Sequence, residues 1–168
     1  MANTAGMELP LISDEAEDGM AAASGEPVED AGPITVRAAR FDDLEGIEDL
    51  IEPFVDGGKL LPRTWDELQN LVPTGFVADQ AGRIVGFAAL EIYSRKMGEI
   101  RSLCVAEGFQ GQGVGKRLVQ ACVDFAAERR VFEVMVVTSS EDFFRTCGFD
   151  FTLPGEKKAL FLQTRAEP

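Results

Sequence analysis

The stretch Gln110-Gly111-Gln112-Gly113-Val114-Gly115 constrains the fold more than any other part of this sequence. An apolar run, Ile100-Arg101-Ser102-Leu103-Cys104-Val105, leads into it, and a strongly helical segment, Lys116 to Arg130, leads out. Three glycines within five residues permit a sharp turn and a close approach of backbone to a ligand. At a helix start the first N–H groups lack intrahelical partners and share the positive end of the helix dipole, which makes an anion site. A phosphorylated cofactor is the expected guest, although a plain strand-to-helix turn would use the same residues.

The 168 residues suit one domain with a sizeable core. The first 33 residues hold eight of the 29 acidic side chains and no Lys or Arg. They are short of aromatics, so residues 1–33 are expected to form a disordered acidic tail ahead of a domain at 34–168. Residues 34–168 hold 21 acids against 16 bases, so the net charge of −13 overstates that of the folded part, which is −5. Such a domain is a poor ligand for nucleic acid, which requires clustered cations. The tail has neither the basic n-region of a secretion signal nor the character of a transit peptide, and no run approaches the length of a membrane span. Cys104, Cys122 and Cys147 are odd in number and lie among apolar residues, so they read as reduced core thiols of a cytoplasmic protein. Histidine is absent. Ser-His and Cys-His triads are thereby excluded, no metal is expected, and a general base must be a carboxylate, a water chain or a terminus.

Periodicity supplies the element order. Ile34-Thr35-Val36-Arg37-Ala38 alternates like a strand. Asp42-Asp43 are expected to cap a helix carrying Leu44, Ile47, Leu50 and Ile51, which ends at Gly57-Gly58. Thr64 and Glu67 form a capping-box pattern for a short helix to about Leu71. Strands at Gly75–Asp79 and Ile84–Tyr93 flank a turn at Gln80–Arg83, and a further strand runs from about Gly98 to Val105. After the glycine loop, Val114, Leu118, Cys122 and Phe125 or Ala126 recur at helical spacing. Val131–Val137 reads as a strand, Glu141–Thr146 as a short helix, and Phe149–Thr152 with Ala159–Gln163 as a closing pair of strands. The expectation is an α/β (α+β) domain, a mixed and mostly antiparallel sheet of about seven strands flanked by about four helices.

This order, with Gln110-x-x-Gly113-x-Gly115 after the fourth strand and Phe143-Phe144-x-x-x-Gly148-Phe149 near the end, resembles the GNAT family of N-acetyltransferases over about residues 34–164. The resemblance implies that backbone N–H groups of Gln110, Gly111, Gln112, Gly113, Val114, Gly115 and Lys116 hold the pyrophosphate of acetyl-CoA. It also implies that the strand end Leu103-Cys104-Val105 pairs with the pantetheine arm. Within the family, Leu60-Leu61-Pro62-Arg63-Thr64, Gly98 to Val105, and Val136-Val137-Thr138 look like the acetyltransferase domain of N-acetylglutamate synthases, enzymes of arginine biosynthesis. The chain departs from the classical bacterial enzyme in having no amino-acid-kinase-like domain before the transferase, which puts arginine feedback in doubt. After Gln163-Thr164-Arg165 it also lacks much of the basic segment with which relatives help hold glutamate.

Acetyl transfer needs a neutral amine, a polarised thioester carbonyl and a proton for the leaving thiolate. Many relatives draw that proton from a tyrosine, but Phe144 stands at the matching position and the sole tyrosine, Tyr93, falls on another strand. The resemblance places a base at Glu99, and strand alternation would set Glu99, Arg101, Leu103 and Val105 on one face. An exposed carboxylate paired with Arg101 or Lys96 is an equal reading of Glu99. Thr138 matches a hydroxyl that protonates the thiolate in the synthases, with Ser139 or Ser140 as substitutes; capping of the next helix is the competing role. A glutamate acceptor carries two carboxylates, which guanidinium forks bind best. Arg63 leads the substrate-binding candidates, followed by Arg101, Ser102 and Lys59, while Lys157, Lys158 and Arg165 either line the pocket or face solvent. The expected partners are acetyl-CoA and a small amine, L-glutamate favoured, with a homodimer admitted. Transfer to another small amine or a protein N-terminus remains open, as does a non-catalytic acyl-CoA-binding module.

Overall fold

The computed structural model describes residues 32–151. The strands are β1 (Thr35–Ala38), β2 (Gly75–Gln80), β3 (Arg83–Ser94), β4 (Met97–Val105) and β5 (Glu133–Met135). The helices are α1 (Leu44–Asp56), α2 (Trp65–Leu71), α3 (Val114–Glu128) and α4 (Glu141–Thr146). The strands form one sheet in the order β1-β2-β3-β4-β5. Neighbours from β1 to β4 pair antiparallel, and α3 carries the chain over so that β5 joins β4 in parallel.

Each face of the sheet has its own core. Leu44, Ile47, Leu50 and Ile51 of α1 and Leu68 and Leu71 of α2 cover Val77, Phe87, Ala89 and Cys104. On the other face, Val114, Leu118, Val119, Cys122 and Ala126 of α3, with Phe144 of α4, cover Ala78, Val85, Ala88, Leu90, Ile100 and Val105. Alternation along β2 and β3 sends successive residues to opposite layers, which is why both strands are apolar nearly throughout. Phe87, Leu90, Ile47 and Leu118 are fully enclosed, each worth about 1.5–3 kcal/mol of apolar burial. A charge at Leu118 would break the contact between α3 and the sheet.

The expected helices form where their spacing placed them, and Thr64 and Glu67 do build the capping box at α2: Glu67 N–H donates to Thr64 Oγ1, and Thr64 N–H donates to Glu67. Asp43 behaves differently. It stands before α1 without capping it, and its carboxylate accepts two bonds of 2.7 Å from Arg37 and one of 2.7 Å from the Arg40 N–H. Arg37 also bonds Asp79, tying β1, the start of α1 and β2 together. The turn between β2 and β3 narrows to Ala81-Gly82, both with positive φ, closed by Gly82 N–H on Asp79.

The sheet has five strands among the described residues, where about seven were expected. The missing pair, Phe149–Thr152 with Ala159–Gln163, falls largely outside those residues, and the described part, Phe149–Phe151, is not in a strand. All but the last two residues of the expected tail, and Lys157, Lys158 and Arg165, also lie outside. The strand expected at Val131–Val137 is cut to Glu133–Met135, because only Met97, Gly98 and Glu99 of β4 face it.

Candidate active site

The glycine loop joins β4 to α3. Gly111 and Gly113 have φ of +74° and +76°, and no atom lies within 4 Å of a Cβ built on either, so conformation rather than crowding selects glycine there. Two glutamine side chains brace the loop: Gln110 Nε2 donates to Val105 O at 2.8 Å and Gln112 Nε2 to Gly108 O at 3.0 Å. Gly113 occupies the cap position of α3, and the first bond into the helix runs from Arg117 N–H to Gly113 O. Among the described residues, the six N–H groups from Gly111 to Lys116 have no backbone acceptor. Unpaired donors at a helix start form an anion site, and the exposed Lys116 adds a cation on the first turn. Gly115 matters for a different reason, since a Cβ there would lie 3.2 Å from the Phe143 ring and push α4 away.

Beyond Glu99 and Met135, β4 and β5 part, and the β4 edge from Ile100 to Val105 has no strand beside it among the described residues. Ser102 sits in this open stretch with φ of +55°, unusual for a residue with a Cβ. It belongs to a bulge: Ala89 pairs with Arg101 and Phe87 with Cys104, so two β4 residues span one of β3. This overturns the single face expected for Glu99, Arg101, Leu103 and Val105. The bulge exchanges the faces, so that Cys104 joins the layer under α1 and α2, opposite Phe87, while Leu103 and Val105 pack toward α3.

Glu99 and Arg101 fall on the α1–α2 side with two residues of β3. A second bulge, at Tyr93, aligns Glu91 directly across from Glu99. Opposed like charges repel, and Arg101 answers both: its Nη1 lies 2.8 Å from Glu91 Oε2 and 3.3 Å from Glu99 Oε2. The Tyr93 hydroxyl donates to Glu99 Oε2 and accepts from Arg101 Nη1 at 3.0 Å. Burial, then the Glu99 carboxylate, pushes the Tyr93 hydroxyl above its ordinary 10.0, so it remains protonated at neutral pH. Burial opposes the Arg101 charge, but Glu99, Tyr93 and Glu91 outweigh it and raise its pKa. The strand periodicity gave no hint of Tyr93 or Glu91 as part of this set. The available signal was the short Arg95-Lys96 connection, which folds β3 back on β4 and brings Tyr93 near Glu99.

Arg63, just before α2, is largely enclosed, with a side chain 15 % exposed. Among the described residues its buried Nε has no hydrogen-bond partner, and its only ion pair there is a long one, 3.9 Å to Glu67. The Thr64 N–H and then its hydroxyl hold Glu67 below the usual carboxylate range, and the charges of both Arg63 and Arg101 reach it. Arg63, Glu67 and Arg101 therefore share one electrostatic neighbourhood, and Glu99 joins it through Arg101.

Thr138 and Ser139 follow β5 on its diverging side and are exposed. Thr138 Oγ1 accepts the Ser140 N–H at 2.9 Å, which leaves its own proton available for donation. Phe144 is buried in a stack of edge-on rings with Phe143 and Phe149. Burial pushes Cys104 and Cys122 up to about 12, which removes them as nucleophiles.

A cleft of about 930 Å³ lies apart from this set, bounded by α1, the β2–β3 turn and the segment after β4. Asp42, Asp49 and Glu107 line it together with Lys59, which sets that residue apart from Arg63. Among the described residues, no group of three or more acidic or cysteine side chains is placed to hold a metal ion, and no helix is long and apolar enough to cross a membrane.

Residues 42–149 match the family described as the Acetyltransferase (GNAT) family. An uncharacterized N-acetyltransferase of Chlorobaculum tepidum is 34% identical over 119 residues, 71% of this chain and 77% of that protein. An amino-acid acetyltransferase of Mycobacterium tuberculosis is 32% identical over 123 residues, 71% and 70% of the two chains. Among solved structures, N-acetylglutamate synthase from Neisseria gonorrhoeae, complexed with coenzyme A and N-acetyl-glutamate, superposes with a TM-score of 0.62 at 26% identity. That match covers 68% of this chain and 27% of the synthase.

Proposed function

The chain belongs to the GNAT family of acetyltransferases and is an acyltransferase, and on that premise we propose that it acetylates the amine of a small amino acid, L-glutamate above others. Acetyl-CoA supplies the activated acetyl group. The residues present fit it: the free N–H groups from Gly111 to Lys116 suit a pyrophosphate, and the open β4 edge suits an extended amide arm.

One observation carries the choice of acceptor, the enclosed Arg63 with an unpartnered Nε. A buried donor left unsatisfied costs about 1–3 kcal/mol, a cost that a ligand carboxylate would recover. Arg101 uses only Nη1 in its bonds to Glu91, Glu99 and Tyr93, which leaves its other donors for a second carboxylate. In this reading Glu99 takes a proton from the acceptor ammonium, directly or through a water, and the freed amine attacks the acetyl carbonyl. The new C–N bond forms as the C–S bond breaks; Thr138 or Ser139 gives a proton to the departing sulfur and regains one from the second proton that the nitrogen sheds, while Glu99 releases its own to solvent. Ser102 holds the bend of β4 at which these groups meet. The product with glutamate is N-acetylglutamate, which sets the enzyme in arginine biosynthesis, in the cytoplasm. The Mycobacterium amino-acid acetyltransferase and the Neisseria synthase support this class of acceptor.

The test is release of free thiol from acetyl-CoA with each of the twenty amino acids, for the wild type and Arg63→Ala. Release with L-glutamate, and a glutamate KM raised about ten-fold or more in Arg63→Ala, is the expected result. Release with no amino acid would overturn the reading, and an unchanged KM would remove Arg63 from the pocket.

A further inference from the structure

Glu99 has two carboxylate oxygens, and the protein treats them unequally. Oε2 receives both the Tyr93 hydroxyl and Arg101 Nη1. Among the described residues Oε1 receives no donor, yet it is not sealed in, since the only buried polar side-chain atom left without a partner among them is Arg63 Nε. The Glu99 side chain is 13% exposed, so what remains accessible of it is the unclamped end. Tyr93 owes its place to the bulge in β3: were it paired in the ladder opposite Gly98, Ile92 would lie opposite Glu99.

We propose that Tyr93 is a positioning residue for the reaction, which with Arg101 fixes Oε2 of Glu99 and thereby reserves Oε1 for the proton of the acceptor amine. This rests on the reading of Glu99 as the base. Arg101 alone cannot do the work, because its Nη1 is shared with Glu91 at the shorter distance and would draw the Glu99 carboxylate along with it. The hydroxyl supplies a second, independent direction, and two donors on one oxygen stop the carboxylate from rotating. A fixed carboxylate lowers the barrier by presenting one geometry, so the effect belongs to kcat and not to binding. The raised Tyr93 pKa agrees with a hydroxyl held as a donor to an anion.

Two measurements test this. Tyr93 is the sole tyrosine, so near-ultraviolet absorbance follows its ionisation alone. The charged groups facing it are Glu91, Glu99 and Arg101. Glu99→Gln should lower the pH at which the tyrosine ionises; an unchanged titration would overturn the clamp, whatever the activity. The second measurement compares Tyr93→Phe, Glu99→Gln and the double variant with acetyl-CoA and L-glutamate. Tyr93→Phe should lower kcat about ten-fold with both KM values within about two-fold, and cost less than about two-fold more on top of Glu99→Gln. An equal factor in both backgrounds, or a loss confined to KM, would overturn the inference. If Glu99→Gln abolishes turnover while Tyr93→Phe leaves kcat intact, the base reading stands and the positioning role fails. If Glu99→Gln keeps wild-type kcat, the base reading fails and takes the positioning role with it.

Discussion

Replacing Arg37 by Met tests whether the ion network beneath β1 stabilises the domain in the manner its geometry requires. Arg37 makes a two-pronged contact with Asp43 at 2.7 Å per prong and two more bonds to Asp79 at 3.0 and 2.8 Å. The side chains of Arg37, Asp43 and Asp79 are 27%, 10% and 18% exposed, between a surface pair and a buried one. A surface pair is worth about 0–1 kcal/mol, and breaking a buried one costs about 3–5 kcal/mol. The intermediate exposure places Arg37→Met near 2 kcal/mol at pH 7, with about 6–10 °C lost in Tm for a domain of this size. The pH dependence follows from Asp43. The Arg37 hydrogen bond holds it below its ordinary 3.8, against the opposing effect of burial. A depressed carboxylate contributes its full stability above that ordinary value and loses it as pH falls through the folded-state value. Urea unfolding of both proteins from about pH 7 down to about pH 2 should therefore show a gap that is constant to about pH 5 and narrows below about pH 4. A gap independent of pH, or one below about 0.5 kcal/mol at pH 7, would refute the reasoning.

Two further outcomes are expected. Gly113→Ala meets no steric obstacle but forces an L-residue to φ +76°, at a cost of about 1–2 kcal/mol. It should raise the acetyl-CoA KM about ten-fold and leave the acceptor KM unchanged; steady-state kinetics with unaltered acetyl-CoA KM would detach the loop from the cosubstrate. In thiol titration of the folded protein at about pH 8, Cys147 should react first, while Cys104 and Cys122, pushed up to about 12, should wait for unfolding. Three fast thiols would show that the two layers open far more readily than their packing implies.

The parts legible in the sequence are those in which neighbouring residues decide the structure. The stripe of Leu44, Ile47, Leu50 and Ile51, the Thr64–Glu67 box and the glycines at 111 and 113 each carry their cause within one or two turns of chain. Residues whose role depends on strand register were not legible. Alternation carried straight through β4 misassigns Leu103 and Val105, because nothing in Arg101-Ser102-Leu103 announces a bulge. Asp43 resembles a helix cap and instead serves Arg37, a partner supplied by a different strand. Tyr93 was visible only as a tyrosine absent from the expected position. Its partners lie across the hairpin, and their alignment depends on a one-residue offset that composition does not encode.

The two bulges of the β3–β4 hairpin also have a joint consequence. One inserts a residue into β3 at Tyr93 and the other inserts one into β4 at Ser102, so they cancel, and Cys104 and Val105 return to the register that an unbroken hairpin from Ser94–Met97 would give. Only the interval between them is out of phase. Within it, Glu91 faces Glu99 and Leu90 faces Ile100; in phase, Ile92 would face Glu99 and Leu90 would face Arg101, mixing charge into an apolar layer. The pair of insertions therefore works as a sorting device, sending Glu91, Glu99 and Arg101 to one side and Leu90, Ile92 and Ile100 to the other. The window can change its side chains without moving its flanks, since the phase error is closed at both ends. Deleting Tyr93 and Ser102 together would leave Glu91 opposite Glu99, Ala89 opposite Arg101 and Phe87 opposite Cys104, so the charged set would keep its side of the sheet and lose only the hydroxyl and the bends.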